Sequence, residues 1–437
     1  MEDVASLRAT IVTLLEKIAV LEAKLKKYEH SKNSRNSSVP PSKDENRPLP
    51  NQSLRKVSGK KVGGQAGHKG HTLEFSANPT EVIPLVVGFC NHCGNDLRQI
   101  PPLKMERRQV IDIPPIVPII KEYQRFSTVC SCGHCNKASF PMGVDAPVQY
   151  GSNVESMVAY LSTRQFMPFA RMEEYFSTVF HLTLSQGTIQ NILKRMYQKA
   201  LPLYKSLHQS IAQATCVGGD ETSIRINGKK GWLWTIQNKV FTFIHCSDNR
   251  GFATLEALFP NGLPHTTIVH DAYAAWLKLI GKSHQLCLAH LLREINYFQE
   301  LYPTCEWVTN LKGIFKQAID WKNNPTVVMP NFKDQLDKLL EQPPNETFSD
   351  LKPIVKRLIK HKESLFVFLE EDYVPADNNG SERAIRNAKV KMKVSGQFKT
   401  IENAQIFAVL RSVIDTLIKN NQPLLHTLKI ITEFSPE

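Results

Sequence analysis

The sequence predicts a multidomain α/β protein in which a mixed α/β domain with a helical insertion follows three smaller segments. The prediction rests on a 3.5-residue apolar repeat near the N-terminus, two cysteine clusters, and β-rich segments that alternate with helices from about residue 206. The predicted parts are a coiled coil (1–30), a flexible basic linker (31–75), a cysteine-rich module (76–150), a helical segment (151–205) and the α/β domain (206–437), with its insertion at about 284–372.

The charge balance favours a polyanionic partner. Lys and Arg number 54 against 41 Asp and Glu, which leaves a formal net charge of +13. Binding to a polyanion releases condensed counterions, so nucleic acid is the first expected partner, and a merely basic soluble protein is the alternative. No apolar run is long enough for a membrane span, and the N-terminus, with its early acidic residues, does not resemble a secretory signal. We therefore expect no membrane partner.

A coiled coil is predicted for residues 1–30. The spacing of apolar residues there alternates between four and three, which is typical of an a/d seam. This period favours a homo-oligomer, whereas an amphipathic helix packed on its own domain is the alternative. The tract that follows is rich in Asn, Ser, Pro, Gly and Lys and is predicted to be a flexible linker. The seam consists of Leu7, Ile11, Leu14, Ile18, Leu21, Leu25 and Tyr28.

The two cysteine clusters predict a structural Zn²⁺ site. Cys90 and Cys93 form one Cys-x-x-Cys pair, and Cys132 and Cys135 form a second. Two such turns can place four thiolates tetrahedrally around Zn²⁺. Nine cysteines in a chain of this length suit a reducing cytosol and metal binding better than a disulfide framework. Cys130, just before the second pair, leaves the ligand set open.

Residues 151–205 read as three helices. The last is predicted to begin after Ser185, whose side chain is suited to cap it, and it carries Lys194 and Arg195 on its polar side. A helix, a short turn and a polar-faced helix are compatible with helix-turn-helix geometry, so Lys194 and Arg195 are candidate DNA contacts. Three packed helices without DNA contacts would show the same pattern.

From about residue 214 the pattern changes to strands. ATCVGGDETSIRI, GWLWTIQ and KVFTFIHCSD read as strands, GFATLEALF reads as a helix, and TTIVHDAY reads as a fourth strand. This order is the start of a ribonuclease-H-like α/β domain. A nearly all-helical stretch at about 284–372 is predicted to interrupt the domain, which closes with the helices SERAIRNAKVKM and IFAVLRSVIDTLI.

Three acidic residues lie where such a domain can bring them together. Asp220 ends or interrupts the first strand, Asp271 follows the fourth strand, and Glu382 begins a helix after the turn DNNGS. Neighbouring strands deliver their ends to one sheet edge, where the closing helix can add its glutamate. Carboxylates this close repel one another and attract cations, and their oxygens suit two Mg²⁺ ions, with Mn²⁺ as an alternative. Two metals can activate a water or 3′-hydroxyl and stabilise the leaving oxygen of a displacement at phosphorus.

A basic stripe follows Glu382 on the closing helix. Arg386, Lys389 and Lys393 follow it at steps of four, three and four residues, and hence lie on one helix face. They are candidate contacts to a phosphate backbone, and the exposed basic face of an ordinary amphipathic helix is the alternative. Glu221 adjoins Asp220, but a continuing strand points its side chain to the opposite face, so it is left out of the metal site.

Seven sequence blocks carry a family resemblance: NSRNSSVPPSKD, GGQAGHKGHTL, RRQVIDIPPIVPIIKEYQ, LSQGTIQNIL, DETSIRINGKKGWLW, VHDAYAAW and DNNGSERAIRNAKVKMKVSG. In these blocks, and over essentially its whole length, the chain resembles the large transposase of bacterial insertion-sequence family sixty-six. The resemblance implies a leucine-zipper start, a zinc-binding module, a helical segment and a DDE catalytic domain with a helical insertion. It assigns the acidic triad to Asp220, Asp271 and Glu382.

The resemblance also implies a function. A transposase of this type binds the terminal inverted repeats of its element, cleaves double-stranded DNA and joins the 3′ ends to target DNA. It would act in the bacterial cytoplasm, associated with the nucleoid, with small accessory transposition proteins as further partners. Two alternatives stay open: a catalytically inactive, sequence-specific DNA-binding protein, and a ribonuclease-H-like nuclease that cleaves without strand transfer.

Cys287 and His290 resemble a Cys-x-x-His signature found in several cut-and-paste transposases. Two residues are too few for a zinc site without a partner such as His284. We therefore interpret them as structural.

Overall fold

The computed structural model forms two compact units, one of residues 49–119 and one of residues 1–48 and 120–437. The predicted seam positions Leu7 and Leu21, and most of the predicted linker, lie outside the residues that it describes. None of the helices in the described part of the chain is both long and apolar enough to cross a bilayer. The described residues are 11–15, 17–18, 25, 27–29, 32–33, 36–37, 67, 69, 73–325 and 328–434.

The unit of residues 49–119 consists, from residue 73 onward, of extended chain and turns with mostly exposed side chains. Ser76 and Gln109 tie two of its extended segments together. The backbone N–H of Ser76 donates to Gln109 Oε1 at 2.7 Å, and Gln109 Nε2 donates to the Ser76 carbonyl at 3.0 Å. An isolated β-bridge joins Phe89 to Asp96 around the first cysteine pair.

A five-stranded mixed sheet forms the centre of the larger unit. The first two strands of this unit, β1 and β2, form a separate two-stranded hairpin. The strand order of the large sheet is β5-β4-β3-β6-β7. Strands β3, β4 and β5 are antiparallel neighbours, whereas β6 runs parallel to β3 and β7 runs parallel to β6. The strands are β1 (Ser127–Val129), β2 (Cys135–Lys137), β3 (Cys216–Ile226), β4 (Lys229–Gln237), β5 (Thr242–Ser247), β6 (Leu263–His270) and β7 (Gly281–Leu286).

The predicted succession of three strands, a helix and a fourth strand is confirmed, and the mixed α/β class with it. The fifth strand, β7, was not predicted, because its sequence GKSHQL has no β-like apolar pattern. Its polar side chains are accommodated by hydrogen bonds instead. Ser283 pairs with the Thr267 hydroxyl at 2.8 Å, and the fully buried Gln285 accepts from the backbone N–H of Phe368 at 2.9 Å.

Thirteen α-helices surround the sheet in the described part of the larger unit, beyond the helical residues between 11 and 29. The long helical insertion begins at Leu288, after β7, rather than at about residue 284. The helices are α1 (Ser152–Thr163), α2 (Phe169–Phe180), α3 (Gln186–Ala212), α4 (Phe252–Leu258), α5 (Ala274–Lys278), α6 (Leu288–Leu301), α7 (Glu306–Asn323), α8 (Phe332–Glu341), α9 (Lys352–Lys360), α10 (Val367–Glu370), α11 (Asn379–Ser395), α12 (Ile401–Lys419) and α13 (Leu424–Glu433).

Helices α1 to α3 share a core with the C-terminal helices. Apolar side chains of α1, α2 and α3 pack with those of α12 and α13 in one buried cluster. Helix α3 runs without interruption across the boundary expected at residues 205–206. Its predicted N-cap is confirmed, because the Ser185 hydroxyl accepts from the backbone N–H of Thr188 at 3.1 Å. The helical segment is therefore packed directly onto the α/β domain.

The N-terminal segment contacts the helical insertion. Lys27 pairs with Asp350 at 2.9 Å, and Lys32 lies 5.2 Å from the ring centre of Tyr297. The amide of Asn36, a residue with 1% exposure, donates to Glu300 at 2.6 Å. The described apolar positions of the predicted seam, Ile11, Leu14, Ile18, Leu25 and Tyr28, are helical and exposed.

Candidate active site

The strand register places Asp220 beside Asp271. Gly218 on β3 pairs with Val269 on the parallel strand β6, and each aspartate lies two residues further along its strand direction. Neighbouring strands are about 4.8 Å apart, so the two residues lie side by side. Asp271 directly follows β6, whereas Asp220 lies inside β3, which continues to Ile226 in regular pairing with β4. The expectation that Asp220 ends or interrupts its strand is therefore wrong. The chain turns directly after Asp271, where Ala272 has a φ of +70°. Asp271 Oδ1 accepts the backbone N–H of Tyr273 at 3.0 Å, which fixes its carboxylate at the turn.

Glu382 lies in the first turn of α11. The residue before that helix, Asn378, donates from Nδ2 to the Gly219 carbonyl at 2.7 Å and from its backbone N–H to Cys287 Sγ at 3.2 Å. These two bonds attach the start of α11 to β3 on one side and to the start of α6 on the other. Asp271 and Glu382 both raise the pKa of the Asp220 carboxyl, so the structure places the three predicted acidic residues near one another.

The glycine pair before Asp220 permits this close packing. A Cβ at Gly218 would lie 2.5 Å from Asn378 Oδ1, and a Cβ at Gly219 would lie 2.5 Å from ring atoms of Trp276. One glycine therefore makes room for the start of α11 and the other for the indole of α5. The sequence shows the pair as VGGDET, but its role depends on neighbours distant in the chain.

Gly219→Ala is expected to lower the free energy of unfolding by about 1–3 kcal/mol, because the added methyl overpacks the Trp276 contact. Gly313→Ala is the matched control, since its Cβ would have no neighbour within 4 Å and it lies inside α7. There alanine should stabilise by roughly 0.5–1 kcal/mol. Denaturant unfolding of both variants measures the difference, and equal effects would contradict the packing argument.

Burial raises the pKa of the Asp220 carboxyl well above its ordinary value, and the neighbouring acids Asp271, Glu221 and Glu382 raise it further. In the metal-free protein the ionised form of Asp220 is therefore disfavoured. At pH values above its raised pKa, the ionised Asp220 carboxylate lowers the free energy of unfolding by its full penalty. The penalty is relieved as pH falls through that value and vanishes below the lower pKa of the unfolded chain.

Asp220→Asn is accordingly expected to raise the Tm of the metal-free protein at neutral pH, by about 2–4 °C for each kcal/mol of relieved repulsion. Mg²⁺ should raise the Tm of the wild type and have less effect on the variant. Asp248→Asn, the same substitution at an exposed position after β5, serves as the control. Calorimetry with and without Mg²⁺ measures both effects, and a lower Tm for metal-free Asp220→Asn would contradict the repulsion.

Glu221 has a structural role on the other face of β3. Its carboxylate, with 1% side-chain exposure, accepts from Arg250 Nη2 at 2.7 Å and from Trp276 Nε1 at 2.9 Å. Arg250 in turn stacks 4.1 Å from the ring centre of Tyr273, two residues after Asp271. The Glu221 network thus holds the turn that carries Asp271.

A buried histidine pair supports the same strand end. His270 is fully buried, and its Nδ1 accepts the backbone N–H of Ala272 at 3.1 Å. Its Nε2 therefore carries the proton and donates to His284 Nδ1, 3.0 Å away on β7. Burial lowers the pKa of His270 to about 3, so the pair is neutral at physiological pH. Sequence reasoning missed this pair, since its partner strand was not predicted.

The predicted basic residues fall into two groups. Arg386, Lys389 and Lys393 are all exposed on α11, as the helical spacing indicated. Lys194 and Arg195 on α3 instead form ion pairs within this unit, with Glu402 at 2.9 Å and with Glu155 respectively. Contact of Lys194 or Arg195 with DNA would have to replace these pairs.

Each cysteine cluster forms a tight turn. In the first, the backbone N–H of Gly94 donates to the Cys90 carbonyl at 2.9 Å, and Cys93 lowers the pKa of the Cys90 thiol. In the second, the backbone N–H of Gly133 donates to the Cys130 carbonyl at 2.8 Å, and Cys132 lowers the pKa of the Cys130 thiol. Cys130 thus takes the place in the second turn that Cys90 takes in the first, while Cys135 begins β2.

Comparison with known proteins identifies the family of this chain. The model of the family described as "Transposase IS66 family" matches residues 147–406, which is more than half of the chain and includes all three acidic residues. A family of unknown function (DUF6444) matches residues 2–74. A search of curated proteins found no match.

Proposed function

The chain belongs to the IS66 family of transposases, and we propose that it cleaves DNA at the ends of its element and joins the 3′ ends to target DNA by two-metal-ion phosphoryl transfer. Asp220, Asp271 and Glu382 are the proposed metal ligands. DNA transposition is the function of the family, and binding to the terminal inverted repeats and strand transfer are the proposed steps of this chain.

The observation that carries the proposal is the position of Asp220 beside Asp271 on adjacent parallel strands, with Glu382 coupled to them from α11. An antiparallel three-stranded unit followed by two parallel strands also supports a ribonuclease-H-like domain. A fold needs no such concentration of buried negative charge for its own stability, since unpaired buried charges are costly. A function that uses the charge explains its presence.

The residues fit divalent cations of the Mg²⁺ class. Within the described chain, Glu382 Oε1 is buried and has no hydrogen-bond partner, and Asp220 is half-buried beside other carboxylates. Carboxylate oxygens are the ligands that Mg²⁺ and Mn²⁺ prefer. When bound, two such ions would activate the attacking water or 3′-hydroxyl and stabilise the leaving oxygen.

The remaining residues would orient the DNA and hold the ligands in place. Arg386, Lys389 and Lys393 continue along α11 from Glu382 and would contact the phosphate backbone next to the scissile bond. The Glu221–Arg250 pair keeps the turn after Asp271 in position. Arg293 Nη2 lies 3.8 Å from Glu382 Oε1 and limits the repulsion among the three acids.

The decisive experiment is a product analysis with a duplex that carries one terminal inverted repeat of the element and a target plasmid. Strand cleavage followed by joined products, both dependent on Mg²⁺, is expected. Cleavage without joining would favour a ribonuclease-H-like nuclease, and binding without cleavage would favour an inactive DNA-binding protein. Either result would overturn the proposed strand transfer.

Two further parts of the proposal concern assembly. The exposed apolar residues of the N-terminal helix support self-association through a coiled coil, and a homo-oligomer would bring two element ends together. Small accessory transposition proteins remain proposed partners. Action in the bacterial cytoplasm at the nucleoid follows from the proposed DNA substrate.

The cysteine turns are proposed to bind structural Zn²⁺. Paired thiols on tight glycine turns, in which Cys93 lowers the pKa of Cys90 and Cys132 lowers that of Cys130, are suited to thiolate ligation. We expect the purified protein to contain zinc and Cys90→Ser to contain one zinc ion fewer, whereas Cys246→Ser, at a buried cysteine of β5, should contain as much as the wild type. Elemental analysis measures the zinc, and a zinc-free wild type would contradict the assignment.

A further inference from the structure

Cys287, His290 and Glu382 converge at the junction of α6 and α11. Their ligand atoms all lie within 4.8 Å of one another, and they form the one group of this kind found among the described residues. From the sequence alone, Cys287 and His290 are too few for a metal site without a partner such as His284. In the folded chain His284 pairs with His270 instead, and Glu382 supplies the third ligand.

Two of these ligand atoms are unsatisfied. In the described part of the chain, His290 Nδ1 and Glu382 Oε1 are both buried without a hydrogen-bond partner. They lie 3.7 Å apart, too far for a hydrogen bond. Two ligands of one tetrahedral Zn²⁺ are separated by roughly 3.3–3.8 Å, given metal–ligand bonds of about 2.0–2.3 Å. The 3.7 Å between His290 Nδ1 and Glu382 Oε1 therefore matches the separation of two ligands of one Zn²⁺ ion.

The chemistry of the group selects a softer metal than Mg²⁺. A thiolate and an imidazole favour Zn²⁺ or Co²⁺, whereas Mg²⁺ prefers oxygen ligands throughout. Three protein ligands leave the fourth tetrahedral position for water or a DNA oxygen.

We propose that Cys287, His290 and Glu382 form a binding site for a thiophilic divalent cation of the Zn²⁺ class, which competes with the catalytic metals for Glu382. Glu382 cannot direct its carboxylate fully to both sites. Occupation of the thiophilic site therefore withdraws a ligand from the Asp220–Asp271 pair and inhibits strand cleavage reversibly. Only the inhibition rests on the proposed function, since metal binding does not require catalysis.

Binding is tested on the full chain with Co²⁺ as the probe. The number of Co²⁺ ions bound is measured by equilibrium dialysis, and thiolate ligation by the charge-transfer absorption. Cys287→Ser keeps an acceptor for the Asn378 N–H but replaces the soft ligand. Cys305→Ser is the matched control, because Cys305 is equally buried and also precedes a helix of the insertion.

We expect Cys287→Ser and His290→Ala each to bind one Co²⁺ fewer than the wild type, and Cys305→Ser to bind the same number. An unchanged number in both site variants would overturn the site. Circular dichroism ensures that folded proteins are compared.

Inhibition is measured as the ratio of Mg²⁺-dependent cleavage with and without added Zn²⁺, within each protein. Added Zn²⁺ should reduce the cleavage rate of the wild type at least about tenfold, and a zinc chelator should restore it. For Cys287→Ser the ratio of the two cleavage rates should approach one. Equal Zn²⁺ sensitivity of the two would overturn competition for Glu382. A failed proposed function would instead appear as a wild type that binds Co²⁺ as expected but never cleaves DNA.

Discussion

Asp271→Asn is expected to reduce strand cleavage and joining by about a thousandfold or more, while affinity for the element end stays within about twofold. The substitution removes the negative charge that a divalent cation requires at the end of β6. It retains the shape of the side chain and an oxygen that can accept the Tyr273 N–H. The turn after Asp271 should therefore keep its conformation, and the substitution should reduce the rates of cleavage and joining without reducing DNA affinity.

Asp334→Asn, an identical change at an exposed position of α8 in the helical insertion, should leave cleavage unaffected. Cleavage and joining are followed with an end-labelled duplex, and binding by fluorescence anisotropy at constant salt concentration, because phosphate contacts are salt-dependent. A parallel loss of binding and cleavage in Asp271→Asn would assign this residue to DNA docking or to folding rather than to metal binding.

The placement of the two aspartates is the part of the site that sequence reasoning could reach. An apolar run that ends in an acid predicts a strand end, which holds for Asp271 after β6, whereas Asp220 lies beside it but inside β3. The position of Glu382 follows less directly, since more than a hundred residues separate it from Asp271. The position of Glu382 is fixed by Asn378, whose side-chain amide donates to the Gly219 carbonyl at the start of α11. No local pattern marks that bond.

Long-range polar contacts explain most of what the sequence did not reveal. The buried and half-buried polar side chains of β7 form hydrogen bonds with β6 and the insertion, so the periodicity of this strand is uninformative. Glu382, the residue that completes the group of Cys287 and His290, lies on α11. It is so distant in the sequence that residue spacing gives no information about the contact. The order of strands and helices depends on local patterns and was largely predictable.

A buried ion pair on α12, which also escaped prediction, adds a polar contact to the apolar core that joins α1–α3 to α12 and α13. Arg411 on α12 is fully buried and lies 2.5 Å from Asp415, one helical turn further on. Its Nη1 donates to the Thr163 carbonyl at the end of α1 at 3.1 Å, and its guanidinium lies 5.5 Å from the ring centre of Phe166. Burial lowers the pKa of Arg411 and raises that of Asp415, because desolvation disfavours the charged form of each group.

Asp415→Ala is therefore expected to lower the free energy of unfolding by about 3–5 kcal/mol, because the guanidinium is left buried without its counter-charge. Lys429→Ala is the matched control: it breaks the i,i+4 pair with Glu433, which is solvent-exposed and should cost less than about 1 kcal/mol. Denaturant unfolding measures both. The double variant Arg411→Met, Asp415→Leu removes both charges and should recover most of the loss, since apolar replacements of a buried pair are often neutral. If the double variant were as unstable as Asp415→Ala, the Thr163 bond and packing on Phe166, rather than the charge, would hold α1 to α12.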